Sequence, residues 1–289
     1  NWYLGDWACP KGINQTDTTS VTLVNNCFVA VCYETMAKIA TVLGKSEDAK
    51  RYTRQAADLR AAIQKTFYSD STGRYGTGSQ IDMIYPMLAG VTPEALTKST
   101  MEQLFTITQR QYDGHIACGL VGIPVMTEWA VTNHQPDFIY GMLKKRDYPS
   151  YLYMIDNGAS TTWEHWHGER SRMHNCYNGI GSWFYQAVGG IRTEESTPGY
   201  RCVCIEPQIP QGITWAKTTK DTPYGAVTVN WTLQDKTLTM EVTIPSGSEG
   251  RVIIPNTNKH FTLDGKQYKN CSGEVMIGSG QYTVTYSLP

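Results

Sequence analysis

The segment Gly158-Ala159-Ser160-Thr161-Thr162-Trp163-Glu164-His165-Trp166-His167-Gly168 sets one carboxylate between two indoles, and His174 follows ten residues after Glu164. Carbohydrate chemistry asks for such a group: aromatic rings stack on the apolar face of a pyranose, and burial beside them tunes the pKa of the acid. In that setting Glu164 could act as a general base on a trapped water, and His174 could hydrogen-bond a hydroxyl or the carboxylate itself. The competing reading is a solvated loop glutamate with a structural histidine nearby. Gly5-Asp6-Trp7 repeats the pairing of carboxylate and indole in brief, though a turn followed by an aromatic needs no function.

Two other patterns carry less. Gly114-His115-Ile116-Ala117-Cys118-Gly119-Leu120-Val121-Gly122-Ile123-Pro124 is a glycine-punctuated loop leading into a helix. It lacks the GK[ST] ending of a phosphate loop, and its glycines read as backbone passing close under a cleft. His165, His167 and His174 with Glu164 bring zinc to mind, but no pair of histidines stands four apart on a helix, so no metal is expected. No organic cofactor is implied for a hydrolytic step.

The elements that must position these residues fall into two halves. Up to about residue 190 the apolar spacing is helical. Residues 20–43 carry Leu23, Val24, Phe28, Val31, Met36, Ile39 and Leu43, with Gly44 as the stop. Ser46 is placed to cap the next helix, whose buried face reads Ala49, Tyr52, Ala56, Leu59, Ile63 and Phe67. Pro93 and Pro136 each stand where a helix opens, and a last helix is expected from Cys176 to Val188. About seven helices result, with Glu164 on a loop just ahead of the last. Beyond residue 195 the period becomes two. Val227, Val229, Trp231 and Leu233 alternate with polar residues, as do Leu238, Met240, Val242 and Ile244, and Asp264-Gly265 signals a hairpin. Helices followed by strands mean two domains, a helical one over 1–192 and an antiparallel β-sandwich over 193–289, with Thr193–Gly199 as a polar connector.

Composition narrows the function. The chain has 289 residues, formal net charge −1 and no basic run, which argues against nucleic acid or an anionic membrane as partner. No uncharged apolar stretch reaches the length of a membrane span. The eight cysteines are scattered without a C-x-x-C pair, and Cys202 and Cys204 share a strand face where a disulfide would be strained, so buried free thiols are expected. Asn14, Asn230 and Asn270 head glycosylation sequons, a weak pattern. The opening Asn1-Trp2-Tyr3-Leu4-Gly5-Asp6-Trp7 lacks an initiator Met and a signal-peptide pattern, and reads as the interior of a longer protein.

The order and spacing of Gly5-Asp6-Trp7, the Gly114–Pro124 loop, Asp147-Tyr148-Pro149-Ser150 and Met154–Glu164 resemble the α-L-rhamnosidases of glycoside hydrolase family 78. Pro198-Gly199-Tyr200-Arg201 through Pro207, Thr214-Trp215-Ala216 and Pro223-Tyr224-Gly225 resemble that family's C-terminal β-domain. The resemblance implies part of an (α/α)6 barrel followed by the β-sandwich. It also implies inverting hydrolysis of terminal α-L-rhamnosides, a rhamnose-containing carbohydrate as partner, and a bacterial cytoplasmic or periplasmic setting. It assigns Glu164 as general base, Trp163 as a wall of the sugar pocket and His174 as a sugar contact, with Asp6, Trp7 and His115 lining the same pocket. One departure matters most: the family's acid-bearing motif D-C-P-x-R-D-E has no counterpart here. The chain therefore reads as the C-terminal portion of such an enzyme, inactive without the missing N-terminal part of the same polypeptide. Met173, where many relatives have Asn, is a smaller departure. A related inverting glycosidase such as a fucosidase, or a non-catalytic carbohydrate-binding protein, are the alternatives.

Overall fold

The computed structural model describes residues 4–14, 16–194, 196–255 and 258–288. Asn1, Trp2 and Tyr3 of the opening segment, Gln15 of the first sequon and Glu195 of the connector lie outside the described residues. The chain divides into two compact units, Asn1–Asn133 with Phe138–Ile180 and His134–Asp137 with Gly181–Pro289.

The first unit is helical. Helices α1 (Thr18–Val42) and α2 (Ser46–Phe67) form a hairpin around Gly44, which takes a left-handed φ of 68°. Asp17 caps α1, its Oδ1 accepting from the Thr19 and Ser20 amides. Ser46 is not the cap of α2 but its first helical residue, with Lys45 at the cap position making no side-chain bond. Glu47 and Asp48 in the first turn suit the positive end of the dipole instead. The expected buried face of α2 is the one turned inward: Ala56 and Ile63 are buried, and Ala49, Tyr52, Leu59 and Phe67 half-buried.

A short hairpin of β1 (Tyr68–Ser69) and β2 (Arg74–Tyr75) leads to α3 (Gln80–Leu88), followed by α4 (Glu94–Tyr112), α5 (Gly122–Thr132), α6 (Pro136–Leu143) and α7 (Tyr151–Asp156). Residues Gln80 to Pro86 of α3 are all buried, as is most of α5. Helices apolar on every side belong in a core. Accordingly α3 packs on both α1 and α5 in an inner row, while α2 and α4 keep exposed outer faces. The expected helix from Cys176 to Val188 starts later, as α8 (Ile180–Trp183), and its end winds into a π-helix over Phe184–Val188. Residues 174–178 are withheld from helix by other bonds: the His174 amide donates to Thr162 O, and the Tyr177 hydroxyl reaches Ala8 O. The described residues hold eight α-helices rather than about seven, because six-residue α7 is too short to register as a period.

The second unit holds β3 (Ile191–Thr193), β4 (Cys202–Ile205), β5 (Trp215–Thr222), β6 (Gly225–Gln234), β7 (Thr237–Ile244), β8 (Glu249–Ile253), β9 (His260–Leu263), β10 (Lys266–Lys269), β11 (Glu274–Ile277) and β12 (Gly280–Ser287). They form a six-stranded sheet in the order β10-β9-β12-β7-β6-β5 and a four-stranded one in the order β11-β8-β4-β3. Pairing is antiparallel except for β4 with β8, which run parallel. The alternating residues of β6 and β7 meet in one core, Val229 opposite Val242 and Trp231 opposite Met240, joined there by Val203, Ile205, Val252 and Val284. Asp264 and Gly265, both at positive φ, turn the β9–β10 hairpin as their sequence suggests.

Candidate active site

Glu164 lies in a long loop, residues 157–179, between α7 and α8. The loop folds back on itself. The His174 amide donates to Thr162 O at 2.9 Å, and the Glu164 amide to Ser171 O at 2.9 Å. The Ser171 amide returns a bond to Glu164 Oε2 at 3.2 Å, so one carboxylate oxygen is fixed by backbone. The other, Oε1, faces His165 Nε2 at 3.8 Å and Arg170 Nη1 at 3.6 Å. The side chain is 15% exposed, sheltered yet reachable.

The two tryptophans that flank Glu164 do different work. Trp166 is fully buried, stacks on Tyr177 with centroids 4.1 Å apart, meets the edge of Tyr151, and donates its indole N–H to Cys118 O at 2.9 Å. It anchors the loop to the stretch ahead of α5. Trp163 is also buried. Arg172 lies over its ring at 5.0 Å, and a Cβ on Gly168 would come within 2.9 Å of that ring, which is why glycine turns the loop there. Trp7 is the half-buried indole of the group. His165 meets Trp7 edge-on at 5.9 Å, and Arg170 lies over the Trp7 ring at 5.7 Å. The Tyr177 hydroxyl, within reach of both Ala8 O at 2.7 Å and Glu164 O at 3.0 Å, ties the Trp7 segment to the Glu164 loop.

Of the expected site residues, Glu164, Trp163 and Trp7 come together in this way, and His174 enters through its backbone bond beside Thr162. Asp6 sits among them but is turned away from solvent. It is buried, with Oδ1 accepting from the Val121 and Gly122 amides and Oδ2 from Gly119. Burial pushes its carboxyl up to about 6 against the pull of those amides. Its carboxylate therefore locks the loop ahead of α5, while its neighbour Trp7 stays half-buried. His115 belongs to a cleft of about 610 Å³ lined also by Lys11, Arg110, Asp147 and Tyr148. Its Nε2 lies 2.9 Å from Asp147 Oδ1, and that imidazole holds the Asp147 carboxyl below its ordinary range. The Lys11 amide donates to the Tyr148 hydroxyl at 2.6 Å, and Lys11 Nζ lies 3.5 Å from Glu169, itself 3.0 Å from His167, so contacts run from the cleft to the Glu164 loop.

The sequence offers His165 only as a discarded metal ligand and gives no sign of Arg170 or Tyr177. Burial lowers the His165 imidazole below its usual range, with Glu164 opposing the shift. Arg170 reaches Glu164 from a left-handed φ of 60°, a conformation its residue type does not advertise. An aromatic directly before the Asn178-Gly179 turn gives no sign that its hydroxyl will bridge two segments.

A carboxylate fixed at one oxygen and bordered by indoles suits proton abstraction at a sugar. The comparisons point the same way. A family model described as the bacterial α-L-rhamnosidase 6-hairpin glycosidase domain matches residues 1–188, and one for the bacterial α-L-rhamnosidase C-terminal domain matches residues 190–269. The chain belongs to the bacterial α-L-rhamnosidase family. It is 28% identical over 282 residues to an α-L-rhamnosidase of Formosa agariphila, covering 92% of this chain and 30% of that protein. An α-L-rhamnosidase of Alteromonas sp. is 29% identical over 87% of this chain and 29% of its own length. Among solved structures, the Streptomyces avermitilis α-L-rhamnosidase complexed with L-rhamnose superposes with a TM-score of 0.85 at 25% identity, covering 98% of this chain and 28% of that one. The α-L-rhamnosidase from Dictyoglumus thermophilum gives a TM-score of 0.88 at 24% identity, over 100% of this chain and 34% of that one, a likeness of fold. The chain thus spans about three-tenths of the length of the curated relatives it matches.

Proposed function

We propose that Glu164 is the general base of an inverting hydrolase that releases terminal α-L-rhamnose from glycosides, and that this chain holds the base half of that site. The observation that carries the reading is the fixed carboxylate: Oε2 is held by the Ser171 amide, leaving Oε1 to take a proton. The relatives named α-L-rhamnosidase supply the substrate class.

The reaction balances as follows. A lone pair of the attacking water forms the bond to the anomeric carbon while one water proton passes to Glu164 Oε1. The glycosidic C–O bond breaks with its electron pair going to the aglycone oxygen, which takes a proton from a carboxylic acid. Inverting enzymes set the two carboxyls about 6.5–9.5 Å apart to admit the water. Among the described residues the neighbouring acids are committed elsewhere, Asp6 to three amides and Glu169 to His167 and Lys11. The resembled family carries its acid in an upstream motif that has no counterpart here, and we propose that the acid lies on a segment of the same polypeptide outside this chain. Trp7 and His174 form the sugar-facing wall in this reading, with Trp163 buried behind it and His115 in the adjoining cleft.

A substrate whose leaving group needs no proton isolates the base half. The chain is expected to hydrolyse α-L-rhamnosyl fluoride, to leave an alkyl α-L-rhamnoside intact, and to lose the fluoride activity in Glu164→Gln. Fluoride hydrolysis that survives Glu164→Gln would sink the assignment. So would turnover of the alkyl rhamnoside by the chain alone, since an acid would then lie within it.

A further inference from the structure

His115 is held from behind. Its Nδ1 lies 3.0 Å from the carbonyl oxygen of Tyr112, and a carbonyl only accepts, so Nδ1 carries the ring proton. In the neutral ring Nε2 is then a lone pair, and it stands 2.9 Å from Oδ1 of Asp147. The buried ring is thus aimed at the Asp147 carboxylate. Asp113 adds a third donor atom, and the ligand atoms of Asp113, His115 and Asp147 lie within 4.8 Å of one another.

We infer that Asp113, His115 and Asp147 form a binding site for a divalent transition-metal cation of the zinc class. One imidazole and two carboxylates are a donor set such ions accept, and ligands at about 2.0–2.2 Å from the ion stand about 3.3–3.6 Å from each other at the tetrahedral angle. The pair Nε2 and Oδ1, at 2.9 Å, has to open by about 0.4 Å to admit the ion. An imidazole whose far nitrogen donates to a backbone carbonyl is oriented as metal-binding histidines usually are. The His115 side chain is 6% exposed and fixed, whereas Asp147 at 72% and Asp113 at 79% can swing to close the coordination. Lys145 Nζ, 3.5 Å from Asp113 Oδ2, is the cation the metal must displace. Lys11 and Arg110 also line the cleft, and they oppose the ion at longer range. The remaining coordination positions open into the cleft, where water or vicinal hydroxyl oxygens complete them. A cation there clips the turn that follows α4 to the segment ahead of α7.

The other reading is a direct hydrogen bond between the ring and Asp147 with no ion, and the test separates the two. The chain is stripped with EDTA and titrated calorimetrically with zinc chloride at neutral pH, alongside Asp113→Asn and Asp147→Asn. Both replaced residues are exposed, and melting curves without zinc check that the variants keep their fold. One equivalent of zinc is expected, with a rise in melting temperature and a shift of the His115 Nε2 resonance in ¹⁵N-histidine-labelled chain. Each variant is expected to weaken binding by about tenfold or more. No uptake by the parent chain means that the ring and Asp147 bond directly, and the site falls. Uptake equally tight in both variants places zinc elsewhere, at the exposed Cys32 or Cys271 thiols or at His165 and His167, and also overturns it. None of these outcomes depends on whether the chain acts on rhamnosides.

Discussion

Asp6 spends both carboxylate oxygens on the backbone. Its amide partners come from the loop whose glycines the sequence already marks: a Cβ on Gly119 would stand 2.0 Å from Trp7 O, and one on Gly122 2.5 Å from Asp6 Oδ2. Spacing alone reveals that these residues matter together, but not that the carboxylate points inward and the indole outward. The consequence is a pH signature. Burial raises the Asp6 carboxyl from 3.8 to about 6, so the folded chain holds this proton more tightly than the unfolded one. The stability linked to it is whole below about pH 4 and fades as pH climbs through 6, by about 3 kcal/mol in all. Asp82, also raised by burial, acts in the same direction. Asp6→Asn removes the titration and leaves an amide group facing N–H donors, destabilising the chain by about 1–3 kcal/mol. Urea midpoints measured from pH 4 to 7 should fall for the parent chain and fall less for the variant. An unchanged slope would show that Asp6 does not titrate there.

Among the elements, α1 is the one with two apolar faces. One buries Leu23, Val24, Cys27, Ala30, Ala37 and Ala40 against its neighbours. The other aligns Phe28, Cys32, Met36, Ile39 and Leu43 at spacings of three and four, all exposed. The helical period is legible because both faces obey it, and for the same reason the sequence cannot say which face meets which neighbour. The delayed start of α8 leaves no trace in periodicity, since His174 and Tyr177 bond instead to the Thr162 and Ala8 carbonyls, distant in sequence. A six-hairpin domain, at two helices per hairpin, calls for twelve helices, and the described residues hold eight. We expect the exposed stripe of α1 to be where further helices of the same polypeptide pack. The isolated chain should then self-associate through it. Phe28→Lys with Ile39→Lys should leave the melting temperature within a few degrees while shifting light-scattering mass towards the monomer. A parent chain that is already monomeric at high concentration would contradict this.

At the scale of the molecule, the chemistry divides along the chain. The β-unit closes its own core, with the Trp231 indole donating to Val188 O at 2.7 Å and none of the residues assigned to the site. The helical unit carries Glu164, the indoles beside it and a neighbouring cleft, and the Glu164 motif is legible because it crowds into one loop of unusual composition. In the function proposed above, a carboxylate that gives up a proton and one that receives it must face each other across a water, and residues distant in sequence can supply them. A positioned general acid contributes about 10²–10⁴-fold. Polypeptide that also contains the upstream helices should therefore cleave an alkyl α-L-rhamnoside at least about 10²-fold faster than this chain, while the two differ far less on the fluoride, where no proton is needed. If both substrates respond alike to the added segment, its contribution is completion of the pocket rather than proton donation, and the acid must be sought elsewhere.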